Sequence, residues 1–487
     1  MQSRLKICFA ASEVTPFAKT GGLADVAAAL PRQLHAAGHE VRTFLPLHSV
    51  IDPREYGLQT VDFLQNVSVK LDWRTVTFSV WTAPMPHSDL AVYFVDCPEL
   101  FHRPQLYTSD PDEPRRFALF SRAVIECCQR MGWAPDVIHC NDWHTALIPL
   151  LLRTVYAWDR LFGTTRTALT IHNIGYQGVF SAGWIDELGL GEWRHLFDQD
   201  DVRSGRVNFL RTGLIYADVI TAVSPTYARE IRTPKYGMGL EDLLNSRAPR
   251  LVGILNGVDY DEWSPERDRF IPHRYSRRRL EGKTKTKRYL LGQLGLDTDA
   301  AAPLLGVVSR LVPQKGFDLC FPVLPELLVT TPLRIAILGT GDSSYEEFFQ
   351  WLHRRFPDRA VYYRGYNEEL AHLIEAGSDM FLMPSRYEPC GLNQLFSLRY
   401  GTPPIVRRTG GLADSVTQFD PRSGEGTGFV FEHFTPDGLR WALGMALETY
   451  GRPMLWRQLV RNAMAQDFSW ARQAERYIEL YSWLGTL

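Results

Sequence analysis

Some stretches of the sequence combine cations, glycines and carboxylates in a pattern that could hold a polyanion. VVSRLVPQKGFDL sets Arg310 and Lys315 across the junction between an apolar run and the next amphipathic stretch, with Gly316 at the turn. Two cations beside a helix N-terminus make a diphosphate clamp, because the free N–H groups and the helix dipole add to the side-chain charges. If a nucleoside diphosphate departs, the same cations stabilise the charge it develops. PSRYEPCGLNQL puts Glu388 after a buried apolar run, with Pro389 and Gly391 shaping the turn. A carboxylate there can accept hydrogen bonds from sugar hydroxyls; it can equally be a helix N-terminal acid favoured by the dipole.

A third pattern occurs twice, as KTGGLADV from Lys19 and RTGGLAD from Arg408. Each copy joins a strand-like run to a helix, and its glycines let the backbone approach a ligand closely. The candidates these turns contribute are Lys19, Gly22, Asp25, Thr409 and Gly410. IHCNDWHTAL brings His139, Asp142 and His144 to a strand end, and TIHNIGYQG does the same for His172. Their spacing matches no common metal site and no cysteine joins them, so no metal is expected. Several polar strand ends fit a polyhydroxylated ligand.

These residues need strand ends to stand on. LKICFAASE reads as a strand buried on both faces, followed by a helix from Leu23 to Ala37, a stop at Gly38 and the strand EVRTFLP: one βαβ unit. The alternation continues through LAVYFVD, DVIHC, RTALTIH and DVITAVS, with 48–88 and 178–206 read as long polar insertions. From 251 the rhythm is more regular, with strands LVGILN, APLLGVVSR, LRIAILG, AVYYRG, DMFLMPS and TPPIVR. The expectation is an α/β chain of two doubly wound domains, 1–250 and 251–467, with an amphipathic closing helix in 468–487. Open sheets bind ligands at the carboxyl ends of their strands, where all the candidates lie, so a cleft between the two sheets is expected.

At 487 residues the chain exceeds one ordinary domain. A formal net charge of -2 argues against nucleic acid or an anionic membrane as partner. The basic run from Arg274 to Arg288 alternates with polar residues and reads as a solvated segment. Seven cysteines without a CxxC pair suit buried free thiols in a reducing compartment. With no signal-peptide pattern and no membrane-length apolar run, the expected location is the cytoplasm. A dehydrogenase is set aside because no GxGxxG follows the first strand.

Together KTGGLADV, HNIGYQG, ADVITAVSPTYAREI, ILNGVD, VVSRLVPQKG, PSRYEPCGLNQL and RRTGGLADSV resemble glycosyltransferase family 5, the bacterial glycogen synthases and plant starch synthases. The resemblance runs from the first strand to AMAQDFSW and covers nearly the whole chain. It implies a GT-B fold, two Rossmann-like domains facing across a deep cleft, with the C-terminal helix returning to the first. It implies retaining transfer of glucose from ADP-glucose to the non-reducing end of an α-1,4-glucan such as glycogen, without a cofactor or metal. On that resemblance Lys19 and Gly22 lie by the donor diphosphate and sugar, and Arg310 and Lys315 clamp the phosphates. Glu388 and the backbone N–H groups near Cys390 and Gly391 hold the glucose hydroxyls. His172 sits beside the anomeric centre, Asp142 and Asn256 line the same pocket, Tyr366 packs near the adenine, and Tyr107 is a candidate for its opposite side.

Two features bear on those assignments. Phe396 stands where the wider GT-B group carries a ribose-binding glutamate, and the segment 101–114 that contains Tyr107 is short. Asp142 is the one nearby carboxylate that could serve as nucleophile in a double displacement. Front-face departure and attack, with the leaving phosphate taking the acceptor's proton, is the expected route. Lys315 and Glu388 are expected to be solvated, so that their removal costs little stability. The competing expectations are a transferase acting on a small acceptor and a catalytically silent glucan-binding protein.

Overall fold

The computed structural model describes residues 4–71 and 74–487. It divides into two compact units: one holds the chain up to Val223 with Ala228–Ile254 and Trp470–Leu487, the other Ser224–Tyr227 with Leu255–Ser469.

In the first unit the parallel strands lie in the spatial order Leu251–Gly253, Val219–Ala222, Arg166–Ile171, Val137–Asn141, Lys6–Ala10, Glu40–Pro46 and Ala91–Asp96. Chain order therefore reverses where Lys6–Ala10 pairs with Val137–Asn141. Such a reversal sends the two crossover connections to opposite faces and opens a crevice at the strands' carboxyl ends. Glu13 and Asp142 stand just beyond those ends.

The expected polar insertion at 48–88 instead extends this sheet. Arg74–Pro84 pairs antiparallel with Ala91–Asp96 and with Val67–Leu71, and Gln59–Thr60 joins beyond it. Val67, Val69 and Leu71 are buried while Ser68 and Lys70 are exposed, the two-residue period of a strand with one wet face. Within 178–206 the structure forms a small ribbon, Val179–Ser181 against Arg206–Asn208. The helix Trp470–Leu484 places Trp470, Tyr477, Tyr481 and Leu484 in the core of this unit, with Leu23, Leu30 and Leu34 of helix Gly22–Ala36.

The second unit is a six-stranded parallel sheet in the order Ala360–Arg364, Arg334–Gly341, Leu304–Leu311, Met380–Met383, Pro404–Arg407 and Phe429–Phe431. Here the reversal falls between Leu304–Leu311 and Met380–Met383. Arg310 lies near the end of one of these strands with Lys315 beyond it, and Glu388 follows the other, so the topology itself brings the two cations and the carboxylate to one crevice. The strand expected to open this domain belongs elsewhere: Leu251–Gly253 pairs with Val219–Ala222 at the edge of the first sheet. Its half-buried side chains suit an edge position.

Candidate active site

The second unit holds the most tightly built cluster. Lys315 Nζ donates to both carboxylate oxygens of Glu388, at 3.0 and 2.7 Å, and Ser385 Oγ donates to Glu388 Oε2 at 2.9 Å. Glu388 is only 5% exposed, which corrects the expectation of a solvated pair. The two loops are bolted together by their backbones: Arg386 N–H donates to the Gln314 carbonyl at 2.8 Å, and Gln314 Nε2 to the Tyr387 carbonyl at 3.4 Å. Buried Arg407 donates to the carbonyls of Ser385 and Arg386 from below. Gly316 has φ of +71°, and a Cβ there would come 2.2 Å from the Pro384 carbonyl, so only glycine lets the loops meet.

Arg310 is exposed at the end of Leu304–Leu311, and its guanidinium bonds to no protein group among the described residues. Gly391, with φ of +73°, turns the chain into helix Asn393–Tyr400. Cys390 is buried beside it with its thiol pushed up to about 12, chiefly by burial, so its backbone rather than its sulfur is what a ligand could use. Asn256 lies buried against that sulfur, its backbone N–H facing it. Thr409 and Gly410 are buried too, behind the Glu388 loop. Tyr366 stands apart, exposed beyond the edge strand Ala360–Arg364, its hydroxyl on Glu368. Phe396 is stacked on Trp263 at 4.0 Å and fills core space.

The first unit contributes a separate set. Asp142 has φ of +53° at the end of Val137–Asn141, and its Oδ1 accepts the His172 backbone N–H at 2.7 Å. Burial lifts its carboxyl to about 7, against the opposing effect of the N–H groups of His172 and Asn173. Burial also lowers His172 to about 3, so its ring is neutral at physiological pH. Lys19 Nζ pairs with Asp25 Oδ1 at 2.7 Å, and Thr15 Oγ1 shares that carboxylate. Two backbone N–H groups of this turn are already taken: buried Glu13 accepts from Thr20 and Gly21. Gly22 begins the following helix and is exposed. Tyr107 is stacked on His144 at 4.6 Å with its hydroxyl on Ser12 Oγ at 2.7 Å.

His139 and His144 are structural. His139 is buried between Tyr481 and Thr170, at 2.6 and 2.5 Å, and His144 is enclosed by aromatic rings. One His–carboxylate cluster has ligand atoms close enough for a metal ion: Glu262, Glu368 and His372, within 4.8 Å of one another. Although burial alone would lower it, the hydrogen bond that His372 Nδ1 donates to Asp268 at 2.8 Å and the nearby Glu368 carboxylate raise His372 to about 9, which disfavours metal ligation by its ring. All seven cysteines are buried and free.

Reading the sequence alone missed Glu13, Asn141, Gln314 and Ser385. Each is adjacent to, or within three residues of, a strand end or a candidate. The available signal was a polar side chain at the end of a buried strand or within three residues after it.

Family models match the two units in turn: "starch synthase catalytic domain" over residues 6–246 and "glycosyl transferases group 1" over residues 296–463. The chain is 45% identical over 489 residues to a glycogen synthase of Syntrophotalea carbinolica, with 98% of each chain covered. It is 43% identical over 480 residues to a glycogen synthase of Thermotoga maritima, again with 98% of each covered. Its structure is similar to the catalytic domain of starch synthase IV from Arabidopsis thaliana bound to ADP and acarbose, with a TM-score of 0.91, 36% identity and full coverage of both chains. A sucrose-phosphate synthase from Thermosynechococcus elongatus, 18% identical with a TM-score of 0.62 and covering 99% of this chain and all of that one, shares the fold. No helix among the described residues is long and apolar enough to cross a membrane.

Proposed function

Because this chain belongs to the glycogen and starch synthase family of GT-B glycosyltransferases, we propose that it moves glucose from ADP-glucose to the non-reducing end of an α-1,4-glucan, with retention of configuration, in the cytoplasm. The observation that carries this reading is the Lys315–Glu388 pair, presented with unpaired Arg310 at the reversal point of the second sheet. An incoming diphosphate competes for the Lys315 ammonium, and the carboxylate it releases is free to accept donor-sugar hydroxyls. The reading thus gives Arg310 and Lys315 the leaving diphosphate, Glu388 with the Cys390 and Gly391 backbone the glucose, and Lys19 and Gly22 the donor from the first unit. Tyr366 and Tyr107 are assigned to the adenine, Asn256 to supporting the sugar loop, and Thr409 and Gly410 to the turn behind it.

Two observations bear on the chemical route. Neutral His172 cannot act as a strong acid, and hydrogen bonding with the sugar is the role left to its side chain. Asp142 Oδ1 already accepts the His172 N–H, which disperses the charge a nucleophile would need. Both favour front-face departure and attack, with the departing phosphate accepting the acceptor's proton, over double displacement. Asp142→Asn, which keeps the amide-oxygen acceptor, is therefore expected to retain measurable turnover. A loss as complete as Glu388→Ala would support a nucleophilic Asp142.

The overall test is incubation of purified protein with glycogen and either ADP-glucose or UDP-glucose, following nucleotide release and chain extension. Faster turnover of ADP-glucose is expected. Absence of turnover with both donors would overturn the proposal, and transfer to a small sugar phosphate with glycogen ignored would replace its acceptor.

A further inference from the structure

We infer that Asn141 is a positioning residue that fixes His172 in one tautomer, with Nε2 protonated and Nδ1 presented as a hydrogen-bond acceptor. Asn141 is the last residue of the strand Val137–Asn141 and is completely buried. Its Nδ2 donates to the Ala10 carbonyl at 3.0 Å on the neighbouring strand. A carbonyl can only accept, so that contact sets the amide: nitrogen toward Ala10, oxygen toward the other side. Asn141 Oδ1 then lies 2.9 Å from His172 Nε2, and an amide oxygen can only accept. The proton of neutral His172 must therefore sit on Nε2.

Its consequence appears at the other ring nitrogen. His172 Nδ1 bonds to no protein group among the described residues, and the ring is half-buried rather than sealed. A neutral ring with Nε2–H engaged has a lone pair on Nδ1, so the ligand group it takes is a hydroxyl donor. The main chain is fixed from the same place, since Asp142, the next residue, accepts the His172 backbone N–H. Adjacent residues thus hold the backbone and the ring of one histidine, which explains why Asn and Asp occur together in CNDWH.

The titratable groups around His172 are consistent with a neutral ring. His139 and His144 are buried and lowered in pKa themselves, and Asp142 is raised to about 7. None supplies a settled charge that would hold an imidazolium. Asn at 141 is also the choice that avoids one, because a carboxylate in its place would stabilise a second ring proton.

Resting on the donor-site reading of His172, the role of Asn141 is to keep a sugar-hydroxyl acceptor of fixed orientation at that position. The test uses the full chain labelled with nitrogen-15 in histidine, with His172→Gln to assign the His172 signals. In the parent protein the His172 signals should show a protonated Nε2 and a bare Nδ1. Asn141→Leu should lose that single tautomer, and Asn141→Asp should raise the His172 pKa by at least a unit. A parent His172 protonated on Nδ1, or a tautomer unchanged in Asn141→Leu, overturns the inference whatever the enzyme's activity.

Turnover gives the second readout. Removing the outer partner of a metal-ligating histidine costs about 10- to 100-fold, and a loss of that order in Asn141→Leu is expected here. Asn141→Asp should in addition acquire an acid limb in its pH–rate profile, which a loss of packing alone would not create. A flat profile in a variant whose His172 pKa has risen would remove His172 from the reaction while leaving the tautomer assignment intact. Absence of glucan synthesis by the parent enzyme would sink the functional reading alone.

Discussion

The same six residues, TGGLAD, make two turns in this chain, and the protein packs against the glycines of the two turns differently. In the first copy the turn is open: the nearest atom to a Cβ on Gly21 would be Glu13 Oε1, at 3.8 Å. Its cation, Lys19, pairs with the motif's own Asp25 near the surface. In the second copy the glycines are crowded by protein. A Cβ on Gly410 would come 1.8 Å from the Glu388 carbonyl, and one on Gly411 would come 2.0 Å from the Cys390 carbonyl. Gly411 N–H donates to the Glu388 and Pro389 carbonyls, Asp414 accepts from Thr226, and Arg408 is drawn to Glu432. The second turn is thus a buttress under the loop that carries Glu388, while the first leaves open space at Gly21. Equal sequence does not mean equal role; what packs against the turn decides.

The largest effect expected from this contrast is at the carboxylate the second turn supports. Glu388→Ala should lower turnover by orders of magnitude and, because Lys315 is left as an unpaired, largely buried charge, destabilise the protein by about 3–5 kcal/mol. Lys315→Ala should do the same, and removing both should restore much of the stability but none of the activity; denaturant unfolding with turnover assays checks each. Next come the glycines. Gly411→Ala should displace the Glu388 loop, lowering both melting temperature and turnover, whereas Gly21→Ala should leave the melting temperature nearly unchanged. Equal melting losses in the two variants would break the comparison.

A smaller effect separates the units by pH. Asp142 titrates near 7 in the folded chain, above the usual carboxylate value of about 3.9. Between those values the folded state holds the extra proton, so this residue's contribution to stability is greatest at low pH and declines as pH rises to about 7. Asp142→Asn removes that decline and should melt higher than the parent at pH 8 but not at pH 4, as calorimetry would show. The smallest effect on stability belongs to the first turn's own ion pair. Lys19→Ala should change stability by less than about 0.5 kcal/mol, as exposed pairs do, while raising the KM for ADP-glucose. An unchanged KM would take Lys19 out of the donor site.

Much of this was legible in the sequence. Buried strands announced themselves as short apolar runs, and the candidates stood at their ends because polar residues cannot be buried mid-strand without partners. Lys315 and Glu388 were both visible as chemistry-bearing residues. That they form a bidentate pair was not, since 73 positions separate them and only the sheet's strand order brings their loops together. The strands in 48–88 were missed although VSVKL alternates cleanly, because the surrounding polar residues hid a two-residue period only five residues long. Glu13 was overlooked because nothing local shows that a carboxylate will reach forward to the Thr20 and Gly21 N–H groups.

By itself the sequence determined the α/β class, the strand-end placement of the chemistry and the family, all of which depend on local pattern and on motifs in order. Only the tertiary structure decided which N–H groups are already spent, which charges neutralise each other and which ring nitrogen of His172 carries the proton. Those depend on through-space contacts of a few ångströms between residues far apart in the chain, and no spacing along it encodes them.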